Sequence, residues 1–560
     1  MGGKHCRIEG METIRKQLGE VVKSLFGVDE EAELSAVPDE VEGDCACNVA
    51  MKLAGKVGKS PREIAGEIVN GLQGDFSVTI AGAGFLNFTL SDEMLKNELG
   101  EFEVEGASDK YAGKVVVVEF SDPNPFKVLH VGHLYTSIVG DGISRLIEYA
   151  GGRVHRANYG GDVGLHVAKT LHEMLRRGSI ETFEEKDVEG KMEYIAECYV
   201  AGTKAYEEDE DAKGEIYGLN KQIYEIVKNG ERDGDVARIY WTGREASYEY
   251  FDRFYERIGL TFDKYYPESS VAELGLATVR EHVGDVYEES DGAIVYKGEK
   301  VGLHTRVFIN KEGLPTYEAK DVGLIEQKWR DWEFDESIVI TAEEQKDYMK
   351  VVLASVREFA LQLVEKTRHL THGMVKLPGA VKMSSREGNF LRAVDVIDMV
   401  EGEGVEGMVA LGAIKYAFSR VKMEGDIVFD AKESVNLQGN SGPYLQYALV
   451  RAKSILKKRN VVVSESLDGS KAVKFDEWER KLLLKILDWR TVAVEAVDEL
   501  ASHKVCSYLY GLAQEFSRFY ENDKVIGGEN EALRTKLVER YVEVLTAGLN
   551  LIGIEVPEKM

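Results

Sequence analysis

A chain of 560 residues with 44% hydrophobic and 30% charged residues is long enough for several packed cores, and its composition excludes a disordered or fibrous protein. The formal net charge of −28 argues against general affinity for nucleic acid, which needs Lys and Arg at the phosphates, and leaves room only for a locally basic surface. Cys6, Cys45, Cys47, Cys198 and Cys506 are odd in number and scattered, and Cys45-Ala46-Cys47 lacks the spacing of a zinc knuckle, so reduced thiols are expected rather than disulfides or a structural metal. The opening residues Met1 to Cys6 carry neither a secretory nor a myristoylation pattern, and no run approaches the ~20 apolar residues of a membrane span. A cytoplasmic location without membrane attachment is expected. Residues 1–110 read as a small α+β unit. Ile14, Leu18, Val21, Val22 and Leu25 recur at helical spacing, and Ser60-Pro61-Arg62-Glu63 combines an N-cap, a first-position proline and an N3 glutamate. Phe76–Ile80 and Phe85–Leu90 alternate like strands around a glycine-rich turn.

From Lys114 to about Asp430 strand and helix signals alternate, which implies a parallel sheet with crossover helices. Val115–Val118 is an apolar strand candidate. Leu134, Ile138, Leu146, Ile147 and Ala150 form a helical stripe that Gly151-Gly152 ends. The acidic runs at 183–187 and 207–211 read as solvated faces of an insertion spanning about 171–298, without the glycine-turned loop that calcium requires. Ser337–Thr341 is a further strand, followed by a helix through Met349, Leu353 and Val356. From Ala431 onward the pattern is helical, with Leu445, Leu449, Ala452 and Leu456 and then Leu482, Leu483, Ile486 and Leu487 forming apolar stripes, so a helix bundle is expected. Lys453, Lys457, Lys458, Arg459, Lys471 and Lys474 make it locally basic.

Two short runs carry chemistry. His130-Val131-Gly132-His133 sits where a strand turns into a helix, a place that binds anions through backbone N–H groups. Lys382-Met383-Ser384-Ser385 puts a lysine and two hydroxyls on a loop. Together they suit a triphosphate attacked at its α-phosphorus, where catalysis is positioning and charge stabilisation.

The two runs resemble the signature motifs of class I aminoacyl-tRNA synthetases. Their surroundings are similar to the arginyl-tRNA synthetase family in particular. The similarity runs through Glu119 to His133, Asn158 to Gly164, Tyr317 to Gly323, Ser441 to Arg451 and the closing Leu551 to Met560. Val131 stands where isoleucine is commoner, and Ser385-Arg386 replaces the usual Lys-Ser pair. The resemblance implies an α/β chain with a Rossmann-like parallel-sheet catalytic domain over 111–430. It also implies an N-terminal α+β domain over 1–110 that contacts tRNA and a helical anticodon-binding domain over 431–560. The implied reaction joins arginine to the 3′ end of tRNA(Arg), with ATP consumed and AMP and pyrophosphate released. His130, His133, Lys382 and Lys127 would be catalytic, and His130, Gly132, His133, Lys382, Ser384 and Ser385 would bind ATP, which brings its own Mg²⁺. Glu119, Asn124, Tyr317, Asp321 and Gln345 match positions that hold arginine in the family. Asp321 would pair with the guanidinium and Tyr317 would lie one helical turn before it. No metal ligand set is implied, and a monomer is expected. Another class I ligase or nucleotidyltransferase, and a silent relative that only binds tRNA, remain as alternatives. Short nucleotidyltransferases lack the C-terminal helices, and the intact His130, His133, Lys382 and Asp321 argue against silence.

Overall fold

The computed structural model describes residues 9–35, 37, 41–178, 180–378, 391–458, 474–528 and 530–560. Lys382, Ser384 and Ser385 lie outside the described residues, as do Cys6, Arg459 and Lys471. The chain folds into two compact units, Lys110–Tyr444 with Leu551–Glu555, and Met1–Asp109 with Leu445–Asn550 and Val556–Met560.

The first unit is built on five parallel strands: β1 (Val115–Glu119), β2 (Arg153–Gly160), β3 (Lys264–Pro267), β4 (Glu336–Ala342) and β5 (Thr367–His372). Their spatial order is β5-β4-β1-β2-β3. Val116, Val117 and Val118 are fully buried, as an apolar strand must be when helices cover both faces. β1 pairs with β2 from Val115↔Arg153 and with β4 from Val116↔Glu336. The strand order therefore reverses at β1, and the carboxyl ends of β1 and β4 open a crevice of the kind that binds ligands in such sheets.

Helix α1 (Val131–Tyr149) crosses from β1 to β2. Its Gly140 lies against Phe120, where a Cβ would come within 2.1 Å of the ring. Helices α2 (Leu165–Arg177), α3 (Val188–Glu208), α4 (Glu210–Asn229) and α5 (Asp235–Arg257) form a cluster around Leu171, Met192, Ile195, Ile216, Ile223 and Tyr240. The range expected as an insertion, 171–298, thus contains a helical cluster. It also contains β3 and α6 (Glu268–Glu281), which belong to the main sheet and its covering layer. The acidic runs are more than solvated faces. Asp187 caps α3 by accepting from the Gly190 N–H, and Asp209 caps α4 by accepting from Asp211 and Ala212. Helix α7 (Tyr317–Trp332) packs on α6, and Gly275 and Gly323 allow the two backbones to meet: a Cβ at Gly275 would be 1.8 Å from the Ala319 oxygen. Helix α8 (Lys346–Arg357) follows β4.

In the second unit an antiparallel sheet orders Leu34–Ser35, Cys45–Cys47, Phe85–Leu90 and Phe76–Ala81. The capping box at Ser60 and Glu63 is formed. Residues from the two ends of the chain share this unit. Arg480 binds Asp44 (Nε to Oδ1 2.8 Å) and Asp92, and Trp489 donates to the Val104 oxygen at 3.1 Å. Cys45, Cys47, Cys198 and Cys506 are buried thiols. Among the described residues no helix is long and apolar enough to cross a membrane.

Candidate active site

The crevice begins with a strained turn. After β1, Ser121 (φ +74), Asp122 (φ +51) and Phe126 (φ +64) adopt left-handed backbone without being glycine, at a cost of about 1–3 kcal/mol each. Neighbours hold them there. The Tyr159 N–H donates to Asp122 Oδ1 (2.8 Å), the Gly161 N–H to Asn124 Oδ1 (2.8 Å) and the Phe126 N–H to Ser247 Oγ (3.0 Å). Such strain concentrates where a side chain must be aimed.

The turn delivers His130 to the N-cap of α1. Its Nδ1 accepts from the Gly132 N–H (3.1 Å), and the His133 Nδ1 accepts from the His130 N–H (3.2 Å). A Cβ at position 132 would sit 2.8 Å from the His130 ring, so glycine is what lets this cap form. The two rings stack with centroids 3.7 Å apart. Burial, aided by Lys127, lowers the His130 pKa to about 4, and burial with the neighbouring His130 lowers that of His133 well below the usual range. Both rings are therefore neutral at pH 7. With Nδ1 accepting, each keeps its proton on Nε2 and is a donor. Two donors at a helix N-terminus form a site for an anion. Behind them His372 donates from Nδ1 to the Gly373 oxygen (2.7 Å), which leaves its Nε2 as an acceptor 2.7 Å from Thr136 Oγ1.

Beside the histidines lies a cavity of about 450 Å³ at the ends of β1 and β4, lined by Glu119, Asp122, Asn124, Tyr159, Glu268, Tyr317, Asp321, Gln345 and Tyr348 among others. Its buried carboxylates outnumber its cations. Glu119 pairs with buried Lys328 at 2.5 Å, and Glu268 pairs with buried Lys320 at 2.6 Å. Asp321 instead accepts a hydrogen bond from the Tyr348 hydroxyl. Burial lifts its carboxyl to about 7; the Tyr348 hydrogen bond opposes that rise, and Glu119, Glu268 and Glu318 add to it. Burial and Glu119 likewise raise the Asp122 carboxyl well above its usual range. The cavity has room and charge for a small cation-bearing ligand whose far end reaches the histidines.

Residues 103–409, more than half of the chain, match the model described as tRNA synthetases class I (R), catalytic domain. The chain belongs to this family. Residues 12–90 match the arginyl tRNA synthetase N terminal domain, and 445–560 match the DALR anticodon binding domain. The chain is 26% identical over 589 residues to the arginine–tRNA ligase of Bacteroides fragilis (96% of this chain, 98% of the relative). It is 29% identical over 504 residues to that of Treponema denticola (84% and 83%). The arginyl-tRNA synthetase structure from Thermus thermophilus superposes with a TM-score of 0.76 at 24% identity, covering 98% of this chain and all (100%) of that one. The Plasmodium falciparum enzyme gives 0.75 at 22%, covering 98% and 99%. These last two likenesses speak for the fold.

Of the residues expected in a class I synthetase site, Glu119, Asn124, His130, Gly132, His133, Tyr317, Asp321 and Gln345 all line the one cavity. Lys127 does not. It faces a neighbouring space of about 680 Å³ that shares Asn124, His130 and His133, and its ammonium lies 5.0 Å from the centre of the Tyr199 ring. Lys382, Ser384 and Ser385 lie outside the described residues. Sequence reasoning missed Asp122, Tyr159, Glu268 and Tyr348. No pattern marks Glu268 or Tyr348, since each reaches the cavity from a separate helix. It also missed Asp162, which accepts from the Ser269 N–H (2.9 Å) and hydroxyl (2.7 Å) and from Arg244 (2.8 Å), and so fixes the first turn of α6 where Glu268 stands. The glycines around Asp162 were the available signal, because they mark a turn between a strand and a helix.

Proposed function

We propose that the chain is an arginine–tRNA ligase working in the cytoplasm, and that the cavity binds arginine with its guanidinium at Asp321. The supporting observation is the charge balance. Two of the cavity carboxylates are already neutralised by Lys328 and Lys320, while Asp321 and Asp122 have no ion-pair partner among the described residues. Arginine brings two positive groups, a planar guanidinium suited to a bidentate carboxylate pair and an α-ammonium. Asp321 and Glu268 face the first. Tyr317 stands at the mouth of the cavity on the same face of α7, one turn from Asp321. Glu119, Asp122, Asn124 and Gln345 are placed for the second, at the ends of β1 and β4 and hence near the histidines.

The free α-carboxylate then lies toward His130 and His133. A carboxylate oxygen of arginine attacks the α-phosphorus of Mg²⁺-bound ATP, the bond to the bridging oxygen breaks, and pyrophosphate leaves with that electron pair. The Nε2–H groups of His130 and His133 donate to phosphate oxygens as charge builds, which is preorganised electrostatic stabilisation. Lys127 and Lys382 supply positive charge for the leaving pyrophosphate. The adenylate then passes its arginyl group to the terminal ribose hydroxyl of tRNA(Arg) and releases AMP. Residues 1–110 and 431–560 serve tRNA, the latter at the anticodon arm.

Amino-acid-dependent pyrophosphate exchange with tRNA present tests this reading. Arginine should exceed lysine, citrulline and ornithine by about 10²-fold or more, because a buried acceptor left without its partner is costly. Asp321→Asn should abolish most arginine use and leave the KM for ATP little changed. Equal use of lysine and arginine by the wild type would refute the assignment.

A further inference from the structure

Asp321 presents a chemical difficulty that the cavity must solve. An arginine site needs the carboxylate ionised, yet Asp321 is buried and several acids surround it. Glu318 lies on its own helix, Glu119 and Asp122 on and after β1, Tyr159 on β2, Glu268 on α6 and Tyr348 on α8. The nearby cations are committed elsewhere: Lys320 pairs with Glu268 and Lys328 with Glu119. Arg306 pairs with Glu318 at 3.2 Å, and its guanidinium stands 5.2 Å from the centre of the Tyr348 ring. The Tyr348 hydroxyl donates directly to Asp321 Oδ2. Tyr348 itself lines the cavity, and the same helix carries Met349 and Val352 into the core behind it, so the phenol is held by packing.

We infer that Tyr348 is a positioning residue for arginine selection, which orients the Asp321 carboxylate through its hydroxyl and favours the ionised form that a guanidinium requires. The inference rests on the arginine-binding reading of Asp321. A carboxylate with one lone pair taken by Tyr348 keeps Oδ1 and the rest of Oδ2 for the two parallel N–H bonds of a guanidinium. Without the hydroxyl, more of Asp321 is protonated at neutral pH. A protonated carboxyl is a donor. It repels no neutral ligand and can hydrogen-bond the oxygen of a ureido group, so discrimination between arginine and citrulline should shrink.

The test is Tyr348→Phe, which removes one oxygen and keeps the ring, in arginine-dependent pyrophosphate exchange with tRNA present. The expected result is a rise of roughly five-fold in the KM for arginine at pH 7, growing toward 10-fold at lower pH, with kcat and the KM for ATP within about two-fold of wild type. The acid limb of kcat/KM for arginine should move up by about one pH unit, so that the defect largely disappears at alkaline pH, and citrulline rejection should weaken. A merely structural role would lower kcat at all pH values and leave the limb in place. Should Tyr348→Phe not fold, 3-fluorotyrosine at position 348 keeps the packing and makes a stronger donor; it should move the limb the other way. Wild-type activity with arginine together with an unmoved limb in either variant overturns the role of Tyr348. A wild type without arginine-dependent exchange overturns the parent reading instead.

Discussion

Whether a histidine can donate to a phosphate depends on which nitrogen carries its proton, and that is settled by the backbone around it. Each of His130 and His133 has its Nδ1 committed to an N–H group, so Nε2 is the donor. Replacing His133 or His130 by alanine, or Lys382 by alanine, should lower the rate of adenylate formation by roughly 10²–10³. His130→Asn should separate the two duties of that ring, keeping an N-cap acceptor while losing the imidazole Nε2–H that reaches the phosphate; its melting temperature should stay near wild type while exchange falls. The lowered His130 pKa has a stability consequence of definite sign. The native ring, with a pKa of about 4, binds protons less tightly than an unfolded histidine near 6.5, so its contribution is present above about pH 6.5 and is lost as pH falls toward 4. Thermal melts of His130→Asn across that window should show a shallower dependence on pH than wild type. The histidines were legible as a motif; the tautomer was not, because it follows from distances between a ring and an amide.

At the scale of elements, capping was readable and long-range closure was not. Ser60 and Glu63 form the reciprocal cap that their spacing implies, and Ser60→Ala should cost about 1 kcal/mol in chemical denaturation. The segment Leu551–Glu555, by contrast, leaves the helices that precede it and joins the unit of the parallel sheet. There the Gly553 oxygen accepts from buried Lys415 at 2.7 Å, and burial lowers the Lys415 pKa. Gly553 has φ +66, and a Cβ there would lie 2.8 Å from Asp141 Oδ2. Gly553→Ala should therefore destabilise the protein by about 1–3 kcal/mol, measured by urea unfolding. Unchanged stability would mean that the left-handed backbone at 553 costs nothing and that Asp141 moves aside freely. Deleting residues after Ala431 should abolish tRNA charging, and it should also strip Lys415 of this acceptor. ATP binding by the truncated chain is best compared with a version that carries Lys415→Met.

For the whole molecule the question is how a chain of net charge −28 meets a polyanion. Contacts restricted to basic patches neutralise few phosphates, and the slope of log affinity against log salt counts them, at about −0.9 per phosphate on duplex. Affinity for tRNA should fall from low to moderate salt with a shallow slope, measured by filter binding or fluorescence titration. Affinity that does not change with salt would contradict phosphate contact. The acidic remainder repels nucleic acid in general, which favours a partner recognised by shape at a few points.

Local pattern alone determined the alternation of strands and helices from Lys114 onward, the helical C-terminal stretch, the caps and the identity of eight cavity residues. Each of these depends on neighbours within a few positions: apolar period, turn chemistry, or a short motif resembling a known family. Only the tertiary structure decided the rest. It brought Glu268 and Tyr348 from separate helices to Asp321, set Lys127 in the adjoining space, returned Gly553 to Lys415, and put residues 1–109 and 445–550 into one unit. The physical reason is the same throughout. A buried charge is tolerable only beside its partner, and which residues become partners is fixed by how elements far apart in the chain pack.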